Sequence, residues 1–327
     1  MYYSIRHITR FRYNVPIHES MMELRMQPRD EGRQRRHSFE LSINPRAQVT
    51  HYRDYLGNTV HHFDIPGQHT QLVITSQAMI ELTPPPPLPD ALSADAWDAL
   101  DQMIQQGDYW EMLSPSHFAR PTDLLTDLAA ELNLHREADP LTTLRHLNTA
   151  MRDTFDYQPS GTRVDSPIDE AMQKRQGVCQ DFAHIMIALV RQMGIPCRYV
   201  SGYLFHRRED HDRSEADATH AWVEALLPEL GWIGFDPTND LIAGDRHIRV
   251  AVGRDYADVP PTRGVFKGDA RSELSVAVQV RPADDAYIHK LTLTEPELPP
   301  LTWLPAEAEP EVEVDLLRQQ QQQQQQQ

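Results

Sequence analysis

Hydrophobic and polar positions alternate along residues 1–82 of the chain. β-Branched and aromatic residues occupy every second position in segments such as 3–8 and 60–65. Turn signals interrupt the pattern at Asn44-Pro45, Gly57-Asn58 and Pro66-Gly67. Period-two alternation broken by turns is typical of short strands. We therefore expect an N-terminal β domain over residues 1–83.

The pattern changes at a proline-rich run. Residues 84–90 are predicted to be an extended linker, because proline lacks a backbone donor and fixes φ. Leucines then recur at helical spacing, at Leu124, Leu125, Leu128 and Leu132 and again at Leu141, Leu144 and Leu147. This spacing predicts a helical lead-in over 91–150.

The end of the chain has two different patterns. Residues 264–280 alternate again, which predicts one or two strands that close a domain over 91–285. Prolines and acids follow and end in glutamines at positions 319–327. The segment 286–327 has few apolar groups to offset the entropy cost of ordering, so we expect a disordered tail.

A second helical pattern begins at a cysteine. Ser166 and Pro167 predict the start of a short helix that Gly177 ends. After Cys179, apolar residues recur at spacings of three and four, at Phe182, Ile185, Met186, Leu189, Val190 and Met193. This spacing buries one face of a helix, and Cys179 lies on that face in the first turn. Unpaired N–H groups and the helix dipole there favour a thiolate and offer donors to an oxyanion.

The segments after this helix predict a strand and a hairpin. They comprise a strand over 197–204, a polar insert over 206–219, and two alternating segments over 220–226 and 232–236. A hairpin centred near Pro228 pairs residues whose numbers sum to about 456, which places His220 opposite Asp236 (220 plus 236 is 456), or diagonal if the register slips by one or two. A carboxylate beside an imidazole fixes its tautomer and stabilises the imidazolium, as a histidine general base requires.

Four strings resemble core motifs of the transglutaminase-like superfamily, a branch of the papain-like cysteine enzymes. They are GVCQDFAH (177–184), GIPCRYVSGY (194–203), HAWVE (220–224) and GWIGFDPTN (231–239). The opening YSIRHITRFRY and the β-rich region after it resemble the N-terminal domain of bacterial members.

The resemblance implies an α+β fold. A β-sandwich-like N-terminal domain would precede a papain-like, transglutaminase-like core over 151–260, in which the cysteine helix packs on an antiparallel sheet. Cys179 would be the nucleophile, His220 the general base and acid, and Asp236 the residue that orients it. The family attacks a peptide bond or a glutamine side-chain amide and passes the acyl group from a thioester to water or to an amine.

No metal or other cofactor is expected. Animal members of the family use calcium, but regularly spaced acids of the calcium-loop type do not occur in this sequence. Neither HExxH nor CxxC spacing occurs among the sixteen histidines and two cysteines, which disfavours a metal-dependent hydrolase.

Three further residues are candidates for the oxyanion site or the cleft. Tyr157 and Gln180 could each donate a hydrogen bond to an oxyanion. Trp222 alternates in phase with His220 and could wall the cleft, although a tryptophan of the core fits the pattern equally well. Cys197 lies in an apolar run and is expected to be buried.

The charge, the apolar runs and the cysteine count restrict the classes of molecule that the chain is expected to bind. A formal charge of −17 repels phosphate backbones and anionic lipid surfaces, which disfavours nucleic acid. No stretch approaches the ~18 apolar residues of a membrane helix, and the first residues lack the pattern of a secretion signal. Two cysteines suit a reducing compartment, so we expect a cytoplasmic protein. Peptide or protein substrates are what the family resemblance implies.

Three functions stay open at this stage. The favoured one is a cysteine peptidase or amidase. Cross-linking of protein glutamines shares every step up to the thioester, and only acceptor access distinguishes the two. A non-catalytic binding scaffold with a papain-like fold is the third, and an intact Cys-His-Asp set argues against it.

Overall fold

The computed structural model describes residues 1–159, 161–207, 209–283 and 304–306. Apart from its residues 304–306, the tail predicted over 286–327 lies outside this part of the chain. None of the helices in the described residues is both long enough and apolar enough to span a membrane.

Antiparallel strands form the N-terminal region, as the alternating pattern predicts. The strands are β1 (Tyr2–Ile17), β2 (Glu19–Leu24), β3 (Gln34–Asn44), β4 (Thr50–Arg53), β5 (Thr59–Ile65) and β6 (His69–Leu82). One sheet contains β1, β6 and β3, and a second contains β2, β5 and β4. Their apolar faces share a core that includes Leu24, Phe63 and Ile74, each fully buried. Two sheets packed over a common apolar layer make this region sandwich-like.

Four helices follow the proline-rich segment. They are α1 (Ala96–Gln106), α2 (Trp110–Leu113), α3 (Asp123–Glu131) and α4 (Pro140–Thr154). Thr122 caps α3 by accepting a hydrogen bond from the N–H of Leu125, and Asp139 caps α4 through the N–H groups of Leu141 and Thr142. The predicted leucine stripes face inward, since Leu125, Leu128, Leu141, Leu144 and Leu147 are all buried in one core.

The helices and strands that follow α4 share that core. Its elements are β7 (Asp156–Tyr157), α5 (Ile168–Lys174), β8 (Gln176–Gly177), α6 (Cys179–Gln192), β9 (Cys197–Leu204), β10 (Thr219–Leu227), β11 (Gly231–Asp236), β12 (Leu241–Ile242) and β13 (His247–Gly253). The last five strands form an antiparallel sheet in the order β12, β11, β10, β9, β13. Apolar residues of α6 pack against the face of this sheet that carries Ala221, Val223 and Ala225. The predicted α+β fold, with a cysteine helix on an antiparallel sheet, is confirmed.

The chain then returns to the N-terminal sheets. Strand β14 (Thr262–Lys267) pairs with β2, and β15 (Ser272–Ala283) pairs with β1. A short strand β16 (Leu304–Ala306) pairs with β15. Alternation predicts that a segment is a strand, but it does not predict the partner. The two strands expected to close the 91–285 domain, β14 and β15, instead pair with β2 and β1 of residues 1–83.

Side-chain amides of the N-terminal region cover the outer edge of β13. The amide of Gln34 bonds to both the N–H and the C=O of Arg249, at 2.8 Å each. The amide of Asn58 does the same at Val252, again at 2.8 Å. An uncovered edge strand presents unpaired backbone groups. The two amides satisfy these groups and join the N-terminal region to the central sheet.

Candidate active site

Cys179 is the first residue of α6 and is half-buried. The carboxylate of Asp181, the third residue of the helix, accepts a hydrogen bond from the N–H of Val178 at 2.9 Å and one from the hydroxyl of Thr162 at 2.5 Å. Immediately before the helix, Gly177 pairs in parallel with Tyr157 of β7. These contacts fix the direction in which the chain enters the helix, and so the position of the sulfur.

His220 and Asp236 meet diagonally across the hairpin. The β10–β11 ladder pairs Val223 with Phe235, so paired numbers sum to 458 (223 plus 235), two more than direct opposition of His220 and Asp236 requires. The turn is centred on Glu229 rather than on Pro228, because Glu229 adopts a left-handed conformation (φ 63°). Direct opposition is therefore wrong, and the diagonal alternative holds: Nε2 of His220 lies 2.8 Å from Oδ2 of Asp236.

Asp236 is fully buried and accepts hydrogen bonds on both carboxylate oxygens. Oδ2 accepts from Nε2 of His220 at 2.8 Å, from Nδ2 of Asn239 at 2.9 Å and from Nε2 of His247 at 3.2 Å. Oδ1 accepts from the N–H groups of Thr238 and Asn239 at 3.1 and 3.3 Å. Burial alone would raise the pKa of Asp236, but its attraction to His220 and the hydrogen bonds from both histidines hold that pKa far below its usual range. The carboxylate is therefore an anion.

The same anion governs His220. Burial would lower the pKa of His220, but the charge of Asp236 and the hydrogen bond to it outweigh burial, and a hydrogen bond with the side chain of Cys179 adds to the rise, to about 10. Since Nε2 is bonded to Asp236, Nδ1 is the ring nitrogen available to the thiol. The structure thus brings Cys179, His220 and Asp236 together, with His220 between the other two.

The sequence did not indicate His247, a second histidine at Asp236. It begins β13, a strand whose neighbour in the sheet is β9, so no local motif connects it to Asp236. Nδ1 of His247 accepts a hydrogen bond from the N–H of Gly244 at 3.4 Å, which leaves Nε2 as the protonated nitrogen that donates to Asp236. Asn239 was missed as well, although it ends the GWIGFDPTN string and follows Asp236 closely enough for a local turn.

The three cleft candidates have different surroundings. The hydroxyl of Tyr157 accepts from the N–H of Glu215 at 3.4 Å, and burial together with the nearby Cys179 raises the pKa of Tyr157, so the phenol keeps its proton. Gln180 is buried, and its side-chain N–H donates to the C=O of Val164 at 2.6 Å. That amide group is therefore engaged with the 161–167 segment.

Trp222 packs behind the histidines. Its ring is fully buried and lies 6.1 Å from the ring of His220 and 5.1 Å from that of His247. Glycines flank it on both neighbouring strands: a Cβ at Gly202 would lie 2.7 Å from the indole ring, and one at Gly234 would lie 3.3 Å from Nε1. The ring is thus held in a slot in the sheet, where it supports the imidazole from the side away from α6.

One group of described residues could offer ligand atoms to a metal ion. Ligand atoms of His220, Asp236 and His247 lie within 4.8 Å of one another. The hydrogen bonds above account for these same atoms, with Asp236 as the shared acceptor. The expectation of no metal rests on sequence spacing and stays a prediction.

Two family models match the chain. Residues 3–81 match the model described as the bacterial transglutaminase-like N-terminal region, and residues 127–237 match the model described as the transglutaminase-like superfamily. The second match includes Cys179, His220 and Asp236.

Individual proteins are similar over most or part of the chain. An uncharacterized protein of Mycobacterium leprae is 34% identical over 276 residues, 84% of this chain and 96% of the relative. A protein-glutamine gamma-glutamyltransferase of Pseudomonas aeruginosa is 35% identical over 88 residues, 26% of this chain and 13% of the relative. A crystal structure from Cytophaga hutchinsonii, named a "putative cysteine protease", has a TM-score of 0.64 at 21% identity and covers 87% of this chain and 92% of its own. At that identity, the last similarity concerns the fold.

Proposed function

Because the chain belongs to the transglutaminase-like superfamily, whose members are generally cysteine-dependent enzymes, we propose that it is a cysteine peptidase or amidase. The bond attacked is a peptide bond or a glutamine side-chain amide, the intermediate is a thioester on Cys179, and the acyl group passes to water. The substrate is a peptide or a protein.

One relationship supports this function most directly. His220 lies between an ionised, fully buried Asp236 at 2.8 Å and the side chain of Cys179, which contributes to the raised pKa of His220. A base next to its nucleophile and held by a third group is the arrangement that nucleophilic catalysis requires. A buried ion pair is weak evidence for a purely stabilising role, so its place beside a cysteine favours catalysis over a scaffold.

The chemistry proceeds in two halves. In the first, His220 holds the thiol proton on Nδ1, as its raised pKa favours, while the sulfur bonds to the carbonyl carbon and the carbonyl oxygen becomes an oxyanion. His220 then returns the proton to the departing nitrogen, the C–N bond breaks and a thioester remains. In the second, His220 takes a proton from water, the hydroxide oxygen bonds to the acyl carbon, and the C–S bond breaks as the sulfur regains its proton.

The start of α6 supplies the electrostatic support for the oxyanion. The first N–H groups of a helix have no partner within the helix and point along the positive end of its dipole. The protonated hydroxyl of Tyr157 is a further donor on the side of β7. The side-chain amide of Gln180 is engaged with Val164, so Gln180 contributes through its backbone N–H.

Mass spectrometry of a peptide library tests the function. The library is incubated with wild type, with Cys179→Ala, and with Cys197→Ala as the matched control, because Cys197 is fully buried in the core. We expect hydrolysis products with wild type and Cys197→Ala but not with Cys179→Ala. Hydrolysis products that also form with Cys179→Ala, or no change in any peptide with wild type, would contradict the proposal.

Cross-linking is the second candidate, and the similarity to the gamma-glutamyltransferase of Pseudomonas aeruginosa favours it over the matched 88 residues. The two reactions differ only in what attacks the thioester. Adding a primary amine to the library distinguishes them, since a transglutaminase converts glutamine peptides to amine adducts in preference to hydrolysis. If amine adducts dominate over hydrolysis products at millimolar amine, the chain is a transglutaminase and not a peptidase.

A further inference from the structure

His247 donates a hydrogen bond to the same oxygen of Asp236 as His220 does. The two Nε2 atoms lie 3.2 and 2.8 Å from Oδ2, and the two imidazole rings are 6.1 Å apart. His247 is 6% exposed, so this bond is shielded from water. Neither the motif strings nor the family match, which ends at residue 237, includes this residue.

The protonation of His247 follows from its other ring nitrogen. Nδ1 accepts from the N–H of Gly244, which requires a lone pair on Nδ1 and places the single proton on Nε2. Burial, together with the nearby positive groups of His220 and Arg246, lowers the pKa of His247, although Asp236 acts in the opposite sense. His247 is therefore a neutral donor.

We propose that His247 is a positioning residue, which fixes Oδ2 of Asp236 towards His220 and takes up part of the carboxylate charge. This inference rests on the proposed function, because the charge on Asp236 matters to the extent that His220 carries a proton during the reaction. A charged residue at 247 would compete with the imidazolium for the anion. A neutral donor steadies the anion without repelling the imidazolium strongly.

The second hydrogen bond to Asp236 affects His220 in its role as general acid. An imidazolium bound to an undivided carboxylate charge releases its proton to a leaving nitrogen with difficulty. A second donor at Oδ2 weakens the acceptor, and so the hydrogen bond from His220 becomes weaker than with Asp236 alone. His247 thus keeps His220 a usable acid as well as a base.

Proton NMR at neutral pH measures this effect without turnover. The probe is the downfield Nε2–H resonance of His220, assigned by its disappearance in His220→Gln. In His247→Phe, which keeps a ring and loses the donor, we expect this resonance to move further downfield, because Asp236 then concentrates its charge on His220. His247→Gln offers both a donor and an acceptor, and should return the resonance towards its wild-type position.

His61→Phe is the matched control, because His61 is a buried histidine of β5. It should leave the His220 resonance unmoved. An unmoved resonance in a folded His247→Phe protein, or one that moves upfield, overturns the proposal.

A second measurement needs no variant. In wild type labelled with ¹⁵N-histidine, the nitrogen shifts of His247 should report a neutral ring with its proton on Nε2. A charged ring, or a proton on Nδ1, also overturns the proposal. Both readouts are independent of substrate, so an inactive chain with the expected spectra would contradict the proposed function alone.

Discussion

Gly177 and Asp181 are in contact across the start of the cysteine helix: a Cβ at position 177 would lie 2.8 Å from Oδ2 of Asp181. That oxygen also holds the N–H of Val178 and the hydroxyl of Thr162. Residue 177 therefore has no room for a side chain unless the carboxylate moves. The glycine in the GVCQD string is required by close approach at this point.

Gly177→Ala should consequently disturb the entry to α6. The new methyl group displaces Asp181, which breaks its bond to Val178 and moves Cys179. We expect a loss of about 1–3 kcal/mol in the free energy of unfolding, the range for overpacking at a tight contact. Denaturant titration measures it, with Gly67→Ala as the control because no atom of the described residues lies within 4 Å of a Cβ there. Equal stability of the two variants would mean that Asp181 relocates without loss.

Asp181 should also make folding stability depend on pH. Burial raises the pKa of Asp181 to about 6 from 3.8, against the opposing hydrogen bonds from Thr162 and Val178. A pKa raised on folding gives stability that is fully present below about pH 4 and is lost as the pH rises through about 6. The shift of roughly two units corresponds to about 3 kcal/mol.

Asp181→Asn carries no titrating proton, which makes it the comparison for this effect. The stability of wild type relative to Asp181→Asn should fall between pH 4 and 7 and then stay level, as measured by urea unfolding at each pH. Thr162→Val removes a hydrogen bond to the ionised carboxylate, so its decline should be larger than that of wild type and should continue to higher pH. If the stability of wild type relative to Asp181→Asn rises with pH instead, the pKa of Asp181 is not raised by folding.

The stability that the His220–Asp236 pair contributes is limited at both high and low pH. The pKa of His220 is raised from 6.5 to about 10, so its stabilising contribution is complete below about pH 6.5 and is lost as the pH rises through about 10. The pKa of Asp236 is lowered, so its contribution is present above about pH 4 and is lost as the pH falls further. The pair therefore stabilises the fold most between about pH 4 and 6.5.

We expect this window to appear when Cys179→Ala is compared with Cys179→Ala/His220→Gln. Removing the thiol confines the comparison to His220 and Asp236. The difference in unfolding free energy should be largest near pH 5–6 and should decline towards pH 10. Thr219→Val in the same background, an exposed neighbour without a titratable group, controls for local packing. If the difference in unfolding free energy between Cys179→Ala and Cys179→Ala/His220→Gln stays constant from pH 5 to 10, the pKa of His220 is not raised by folding.

Much of the site could be predicted because its signals are local. Cys179 stands at a helix start marked by Gly177 and by the apolar spacing after it, and both features are local in sequence. His220 and Asp236 lie on one hairpin, so their proximity needed only an approximate turn position. The register itself was two residues off, because the left-handed Glu229 moves the centre of the turn.

The unpredicted parts depend on distant pairing. His247 reaches Asp236 because β13 adds to the free edge of β9, and no periodicity announces that partner. Strands β14 and β15 similarly have a readable alternation but pair with β2 and β1, more than two hundred residues earlier in the chain. Register between sequence-distant strands is set by the packed core, which a single sequence does not display.

The amide of Asn58 should matter to the active site although it lies in the N-terminal region. It bonds to both backbone groups of Val252, on the strand that carries His247. Asn58→Ala leaves these buried groups without their partner, which costs about 2–4 kcal/mol for two hydrogen bonds with an unsatisfied donor and acceptor. Gln71→Ala, at an exposed position of β6, should cost much less.

Amide hydrogen exchange locates the effect of Asn58→Ala. Exchange of the Val252 N–H should become at least tenfold faster, because the edge of β13 then opens to water without unfolding of the sheet. The N–H of Arg249, which Gln34 still holds, should change less. Equal acceleration at both residues would mean that β13 detaches as a unit, in which case the N-terminal region holds the whole strand, and His247 with it, against the central sheet.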